Sequence, residues 1–370
     1  MKKYYEVTVR DEKVIIPREE ELFKVIVEVT SMCNFRCEMC FITQRQDKGF
    51  MSEQVFYKIL SDIDAIDSVR SILFGGIGEP LLHPEIMKWI KEAKERGYFI
   101  SLQTNGSLIT EKNVRILAQY LDTIVFSIDS YPGSSKDNIG HINPEKTIRA
   151  INLLNKIKSE LSRNLPSVNV EIVINKNNIR DLPKFPALLA EVGVSNVLIS
   201  HLLPINKRFE ALSLYLPNSR ISKECLIDII DKFREQCAEY GITYVLPYFN
   251  LTAERHCGFI ENRSTVIRWD GEVIPCYRFL HDHKEVILGR EKEIKTFSFG
   301  NVLDFHLWEI WTSEAYRSFR FKVKGFLFPS CIHCRHSSTC PFTRTNVRDC
   351  WKNTPSCGDC LWAHRLIQCP

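Results

Sequence analysis

Nine of the fourteen cysteines crowd into the chain beyond Tyr248, at positions 257, 276, 331, 334, 340, 350, 357, 360 and 369. No other feature restricts the fold so much. That segment has few long periodic helices, so it cannot rest on a hydrophobic core alone and depends on bound metal. The N-terminus, MKKYYEVTVRDEK, turns polar and acidic before any apolar stretch forms, so it is not a secretion signal. Without such a signal, clustered cysteine reads as metal or redox chemistry before it reads as a disulfide framework. Apolar residues at 44% and charged residues at 25% exclude disordered and fibrous classes. Forty-nine basic against forty-five acidic residues leave a net charge of +4, too small for a general nucleic-acid or membrane-surface binder. No apolar run approaches the roughly 18 residues that span a bilayer. The expectation is a cytoplasmic metalloprotein with no nucleic-acid or membrane partner.

The first half alternates between two periods. β-Branched, apolar strands are expected at 24–30, 69–74, 98–103, 123–128, 168–174 and 196–200. Amphipathic helices are expected at 52–66, 84–96, 110–120, 144–161 and 182–192. Ser52 and Thr110 read as helix N-caps, and Gly97 and Gly193 as residues that end helices. Six strands separated by five helices imply a parallel sheet of right-handed βαβ units. Spacing alone leaves a partial barrel and a doubly wound sheet both open. After His201 the pattern breaks: a loop with Pro204 and Pro217 leads to a helix over 221–240 and a strand over 242–246. One more helix is expected at 306–321. The first residues, YYEVTV and KVIIP around Asp11-Glu12, suggest a small hairpin.

Directly after the first strand stands Cys33-x3-Cys37-x2-Cys40. Three thiolates on a loop can hold three corners of a [4Fe–4S] cube, and since full ligation needs four cysteines, the fourth iron stays open. A three-cysteine zinc site completed by His83 is the competing reading. Elsewhere, Cys331-x2-Cys334 followed by Cys357-x2-Cys360 approaches zinc-ribbon spacing. Against zinc stands the surplus of further cysteines. Between Arg320 and Pro370, eight basic residues against two Asp also suit a segment wrapped around anionic iron–thiolate centres.

The Cys33, Cys37, Cys40 spacing resembles the signature of the radical S-adenosylmethionine (SAM) enzymes. The resemblance implies a [4Fe–4S] cluster whose open iron is chelated by SAM. SAM is then cleaved reductively to methionine and a 5′-deoxyadenosyl radical, and the protein positions and shields that radical. Phe74-Gly75-Gly76-Ile77-Gly78-Glu79-Pro80-Leu81, after strand two, is similar to the family's glycine–glutamate motif and implies that Gly76, Gly78 and Glu79 hold the methionyl end of SAM. Gln103-Thr104-Asn105-Gly106 resembles the family's TNG string, although Asn105-Gly106 reads equally as a turn. Ser127 and Asp129, two apart on strand four, imply contacts to the SAM ribose or carboxylate. Glu28 and His201 read as structural or substrate-orienting, and Cys225 and Cys237 as packing residues. No catalytic acid, base or radical-quenching residue is named.

The C-terminal region resembles the SPASM extension of radical SAM maturases, through Cys257, Trp269-Asp270-Gly271…Cys276 and Cys331-x2-Cys334-x5-Cys340. That resemblance implies two auxiliary [4Fe–4S] clusters. It departs from the family where a cysteine expected four residues after Cys340 is Arg344. The expected partition puts Cys331, Cys334, Cys340 and Cys360 on one cluster, and Cys257, Cys276, Cys350 and Cys357 on the other. The expected layout is an α/β chain: an N-terminal hairpin arm (1–22), a partial (β/α)6 barrel (23–215), a bridging helix and strand (216–249), and an auxiliary cluster domain (250–370). The tail from Arg348 to Pro370 and the Asp304…Trp308…Trp311 stretch are similar to maturases associated with tungsten-dependent aldehyde ferredoxin oxidoreductases. The implied partners are such an oxidoreductase or its tungstopterin cofactor, and a low-potential donor such as ferredoxin. Two rival functions remain: a radical SAM maturase of a peptide or another protein, and a non-enzymatic metal-binding or electron-transfer protein.

Overall fold

The computed structural model describes residues 4–9, 12–17, 21–44, 48–134, 143–216 and 221–369. Asp11, Pro217 and Pro370 lie outside them. Strands β1 (Tyr4–Val9) and β2 (Glu12–Pro17) pair as an antiparallel hairpin. Then β3 (Lys24–Val27), β4 (Ser71–Phe74), β5 (Phe99–Thr104), β6 (Thr123–Ser127), β7 (Ser167–Ile174) and β8 (Asn196–His201) run parallel, each beside the next. Val25, Ile26 and Val27 are buried, as a parallel strand covered on both faces requires.

The returning helices start and stop largely where local chemistry dictates. Ser52 Oγ accepts the Val55 N–H at 3.2 Å and caps the helix Glu53–Asp64. Gly97 and Gly193 take left-handed φ values of +94° and +69° just past two helix ends. Thr110 does not cap. Its N–H donates to Asn113 Oδ1 at 2.8 Å in a turn, and the helix begins only at Val114. The helix expected over 306–321 is broken at Ser313 into Leu307–Thr312 and Glu314–Lys324. The reason is that Ser313 Oγ accepts the Tyr316 N–H and starts a second helix. The expected helix over 182–192 opens as a 3-10 turn, Ile179–Lys184, before Phe185–Glu191.

The sheet does not stop at six strands. After the helix Lys223–Tyr240, β9 (Thr243–Val245) pairs parallel with β8. From the cysteine-rich region, β10 (Ser264–Ile267) pairs parallel with β3, Ser264 opposite Lys24 and Ile267 opposite Val27. β11 (Val273–Ile274) closes antiparallel on β10. The order is β11-β10-β3-β4-β5-β6-β7-β8-β9, so one sheet crosses the boundaries expected at 216 and 250. A separate hairpin, β12 (His283–Ile287) and β13 (Arg290–Ile294), packs beside the loop at Phe41–Gln44. No helix among the described residues is long and apolar enough to cross a membrane.

Ile26 sits on an interior strand of this sheet, opposite Val266 on one side and Leu73 on the other, with 2% of its surface exposed. Ile26→Ala should therefore lower stability by about 2–5 kcal/mol, read from urea unfolding under anaerobic conditions.

Candidate active site and auxiliary cysteine sites

The barrel mouth is assembled from strand ends. Beyond β3, Thr30 Oγ1 donates to Gly49 O at 2.7 Å and accepts the Met32 N–H, which closes the base of the loop bearing Cys33, Cys37 and Cys40. These three thiols are all half-buried. Burial pushes Cys37 up to about 12, and the charges of Asp129, Cys40 and Cys33 push the same way, so the three sulfurs and Asp129 lie within electrostatic reach.

The glycine loop after β4 packs directly under that loop. A Cβ on Gly78 would lie 2.7 Å from Met32 O and closer still to Thr30 O, so only glycine fits. Glu79 is buried. Its Oε1 accepts the Leu81 N–H at 3.0 Å and the Thr104 hydroxyl at 2.8 Å, and its Oε2 accepts the Asn105 N–H at 2.8 Å. Asn105 in turn donates through Nδ2 to Asn34 Oδ1 at 3.0 Å, with Cys33 Sγ at 4.0 Å. Cys33, Glu79 and Asn105 are thus brought into one hydrogen-bonded group. Gly76 has φ +121°, and its absent Cβ would stand 2.8 Å from Glu28 Cγ. Asp129 lies just beyond β6, and burial raises its carboxyl to about 7. Ser127 is half-buried at the β6 end, opposite Glu171 in the β7 register.

One interior group, Glu171, was not singled out from sequence. Glu171 projects from β7, where burial alternates residue by residue, and that alternation was the signal that could have found it. Burial and the Asp129 charge raise Glu171 to about 8. Gln103 Nε2 donates to Glu171 at 2.9 Å, while Gln103 Oε1 is buried without a partner beside Gly75. His201 is buried between the rings of Tyr215 and Phe249. Its Nε2 meets Tyr248 O at 2.9 Å, and burial lowers its pKa to about 4, so the ring is neutral.

The auxiliary cysteines fall into two electrostatic neighbourhoods. Burial raises Cys257, Cys276 and Cys357 first; the charge of Cys360 then acts on all three, and that of Cys257 on Cys276 and Cys357. Cys350 instead feels Cys340 and Cys334, and Cys331 feels Cys350. By these electrostatic neighbours Cys360 lies near Cys257, Cys276 and Cys357, and Cys350 near Cys331, Cys334 and Cys340. A tight turn lies between Cys350 and Cys357. There the buried Asp349 carboxylate accepts the Trp351 and Asn353 N–H groups and the Ser356 hydroxyl, and reverses the chain. Cys334 and Cys350 are exposed and Cys360 is buried. Cys369 accepts the Trp362 indole N–H at 3.0 Å. Cys237 packs on its helix in the core, and Cys225 packs against that core half-buried.

Cations accompany these thiols. Arg278 and Lys292 both donate to Asp359, between Cys357 and Cys360, at 3.2 and 2.8 Å. Arg290 is buried with all three guanidinium nitrogens unpartnered, and its charge acts on Cys331 and Asp359. Three buried cations, Arg278, Arg290 and Lys292, share two buried carboxylates, Glu285 and Asp359, and an uncompensated buried charge is costly. A thiolate-ligated iron–sulfur cluster is an anion, so this donor set fits one. Among the described residues, no three His, Cys, Asp or Glu side chains converge on a single metal-ion position.

The chain matches two family models: the radical SAM superfamily over residues 27–189, and an iron-sulfur cluster-binding domain, SPASM, over 257–335. It is 42% identical to a tungsten-containing aldehyde ferredoxin oxidoreductase cofactor-modifying protein of Pyrococcus furiosus, over 93% of this chain and 96% of that one. It is similar in fold to Streptococcus suis SuiB bound to precursor peptide SuiA, with a TM-score of 0.60 and 16% identity over 92% of this chain and 76% of that one. It is likewise similar to native anSMEcpe with bound AdoMet, with a TM-score of 0.59 and 18% identity over 92% and 94%.

Glu171 gives a pH test of this interior. Its folded pKa, about 8, stands above the ordinary 4.5. The stability present below pH 4.5 is therefore lost as pH rises through the folded value, and the loss levels off above it. Between roughly pH 6 and 8 the melting temperature should fall more in the native chain than in Glu171→Gln, as followed by calorimetry.

Proposed function

The chain belongs to the radical SAM superfamily and carries a SPASM iron–sulfur domain, and from that premise we propose that it modifies a tungsten-dependent oxidoreductase, or the pterin cofactor of that enzyme, during maturation. The observation that carries this reading is the likeness to the Pyrococcus furiosus cofactor-modifying protein, which extends over nearly the whole of both chains. With the cluster and SAM bound, the site supplies reductive one-electron chemistry, fed by a low-potential donor such as ferredoxin.

The residues then take these roles. Cys33, Cys37 and Cys40 hold three irons of the SAM cluster. Gly76 and Gly78 let the backbone approach the methionyl end of SAM. Glu79 Oε2 accepts one bond, from Asn105, and keeps a second lone pair for an ammonium donor. Asn105 fixes Glu79 and the Cys33 loop together, and Asp129 and Ser127 face the same mouth from β6. Glu171, Gln103 and Tyr277 line the interior below, where burial excludes water from a reactive substrate. The cysteine neighbourhoods support two auxiliary clusters, with Cys257, Cys276, Cys357 and Cys360 on one and Cys331, Cys334, Cys340 and Cys350 on the other.

Two measurements test this. Anaerobic 5′-deoxyadenosine formation, with reductant and SAM, should be stimulated by unmatured tungsten oxidoreductase and abolished in Cys33→Ala. Slow cleavage indifferent to that partner would overturn the target and keep the chemistry. For the cluster assignment, Cys357→Ala should perturb the same auxiliary electron paramagnetic resonance (EPR) signal as Cys276→Ala, and Cys350→Ala the same one as Cys331→Ala. The reverse pairing would restore the partition expected from sequence.

A further inference from the structure

A line of buried polar side chains runs from the glycine loop after β4 to the turn between Cys357 and Cys360, and most of its members have no part in the roles assigned above. It begins at the Ile77 N–H, which donates to Glu28 Oε1 at 3.2 Å. His281 Nε2 stands 2.9 Å from both oxygens of Glu28. The His281 carbonyl meets His283 Nδ1 at 2.9 Å, and His283 Nε2 meets Glu285 Oε1 at 3.2 Å. Arg278 grips Glu285 at 2.7 Å and reaches Asp359, which Lys292 holds from the other side. From Glu28 to Lys292 no member exposes more than 5% of its surface. A second tie comes from the cluster loop: Phe41, next to Cys40, stacks on the His283 ring with centroids 4.3 Å apart.

Glu28 directly follows β3, whereas His281 belongs to the cysteine-rich region, five residues after Cys276. Their contact is therefore a joint between the two halves of the molecule. Such a chain transmits displacement because each buried charge must keep its partner; breaking one pair costs several kcal/mol. Moving Asp359 moves Arg278 and Glu285, and the shift passes through the two histidines to Glu28. Glu28 presses against the backbone of Gly76, where a Cβ would collide with it.

We propose that Glu28 and His281 are positioning residues for SAM: they set the glycine loop that receives its methionyl end, and through Glu285 and Arg278 they tie that loop to the Cys257, Cys276, Cys357, Cys360 site. The inference rests on the functional reading above. Its consequence is that SAM affinity depends on groups that never touch SAM.

The test uses the full chain, reconstituted with iron and sulfide and reduced, without substrate. The readout is the SAM dissociation constant, taken from the change that SAM makes in the EPR spectrum of the reduced cluster. His281→Leu removes the donor to Glu28 and should weaken SAM about ten- to a hundred-fold. His281→Gln, whose amide N–H can stand in for Nε2–H, should recover most of that loss. Glu285→Gln, isosteric and remote from SAM, should weaken binding about three-fold or more. Iron content should stay at the native level in each variant. Unchanged affinity in both His281→Leu and Glu285→Gln at native iron content overturns the inference. If His281→Leu does not fold, unchanged affinity in Glu285→Gln alone does so. A native chain whose spectrum does not respond to SAM overturns the functional reading itself.

Discussion

Charge taken out of water is the constraint around which the rest of the molecule is arranged. Arg278, Lys292, Glu285 and Asp359 are buried together, and Arg290 adds a guanidinium with no hydrogen-bond partner among the described residues. Buried ion pairs add little net stability, because desolvating the charges cancels most of their attraction. They do fix geometry, since any alternative arrangement strands a charge. Desolvation pushes Glu285 and Asp359 up, yet Arg278 and Lys292 prevail and hold both carboxyls ionised. The surplus cation lies on the Cys331 side, where burial otherwise opposes thiolate formation. The electrostatics of this region balance once anionic sulfur centres are included.

The barrel mouth solves a different problem with close backbone approach and hydrogen bonds. Three loops have to meet without a Cβ between them, and Gly78 against the Thr30 and Met32 carbonyls makes that possible. Glu79 then clips the β4 and β5 ends together, while Asn105 and Asn34 carry the clip to Cys33. The β12–β13 hairpin leans on the same place: Phe41 stacks on His283, and Gln44 accepts the Lys284 N–H. The two halves of the chain therefore share a wall rather than a linker.

How much of this was legible depends on how local the cause was. The six parallel strands could be read because each carries its own apolar run. Ser52 and Gly97 could be read because a cap acts within one turn. The three-cysteine loop, the glycine loop and Asn105 were visible as strings after strands, and the fold brings their strand ends together. Ser313 was missed because a side-chain bond to its own backbone outweighed helical periodicity. The turn closed by Asp349 was out of reach, since the spacing of the cysteines does not announce it. His281 and Arg278 looked like ordinary residues near a cysteine. Their importance comes from Glu28 and Asp359, hundreds and tens of residues away along the chain.

The pairing of β10 with β3 also bears on how the chain is made. β3 leaves the ribosome early, and β4 covers one of its sides soon after. The other side stays a row of unsatisfied N–H and C=O groups until residues 264–267 emerge. Through most of synthesis the nascent barrel carries an open hydrophobic edge that any passing strand could pair with. A fragment ending before β10 would keep that edge permanently, so the cysteine-rich region is no detachable appendix. It supplies the strand that covers this edge of β3.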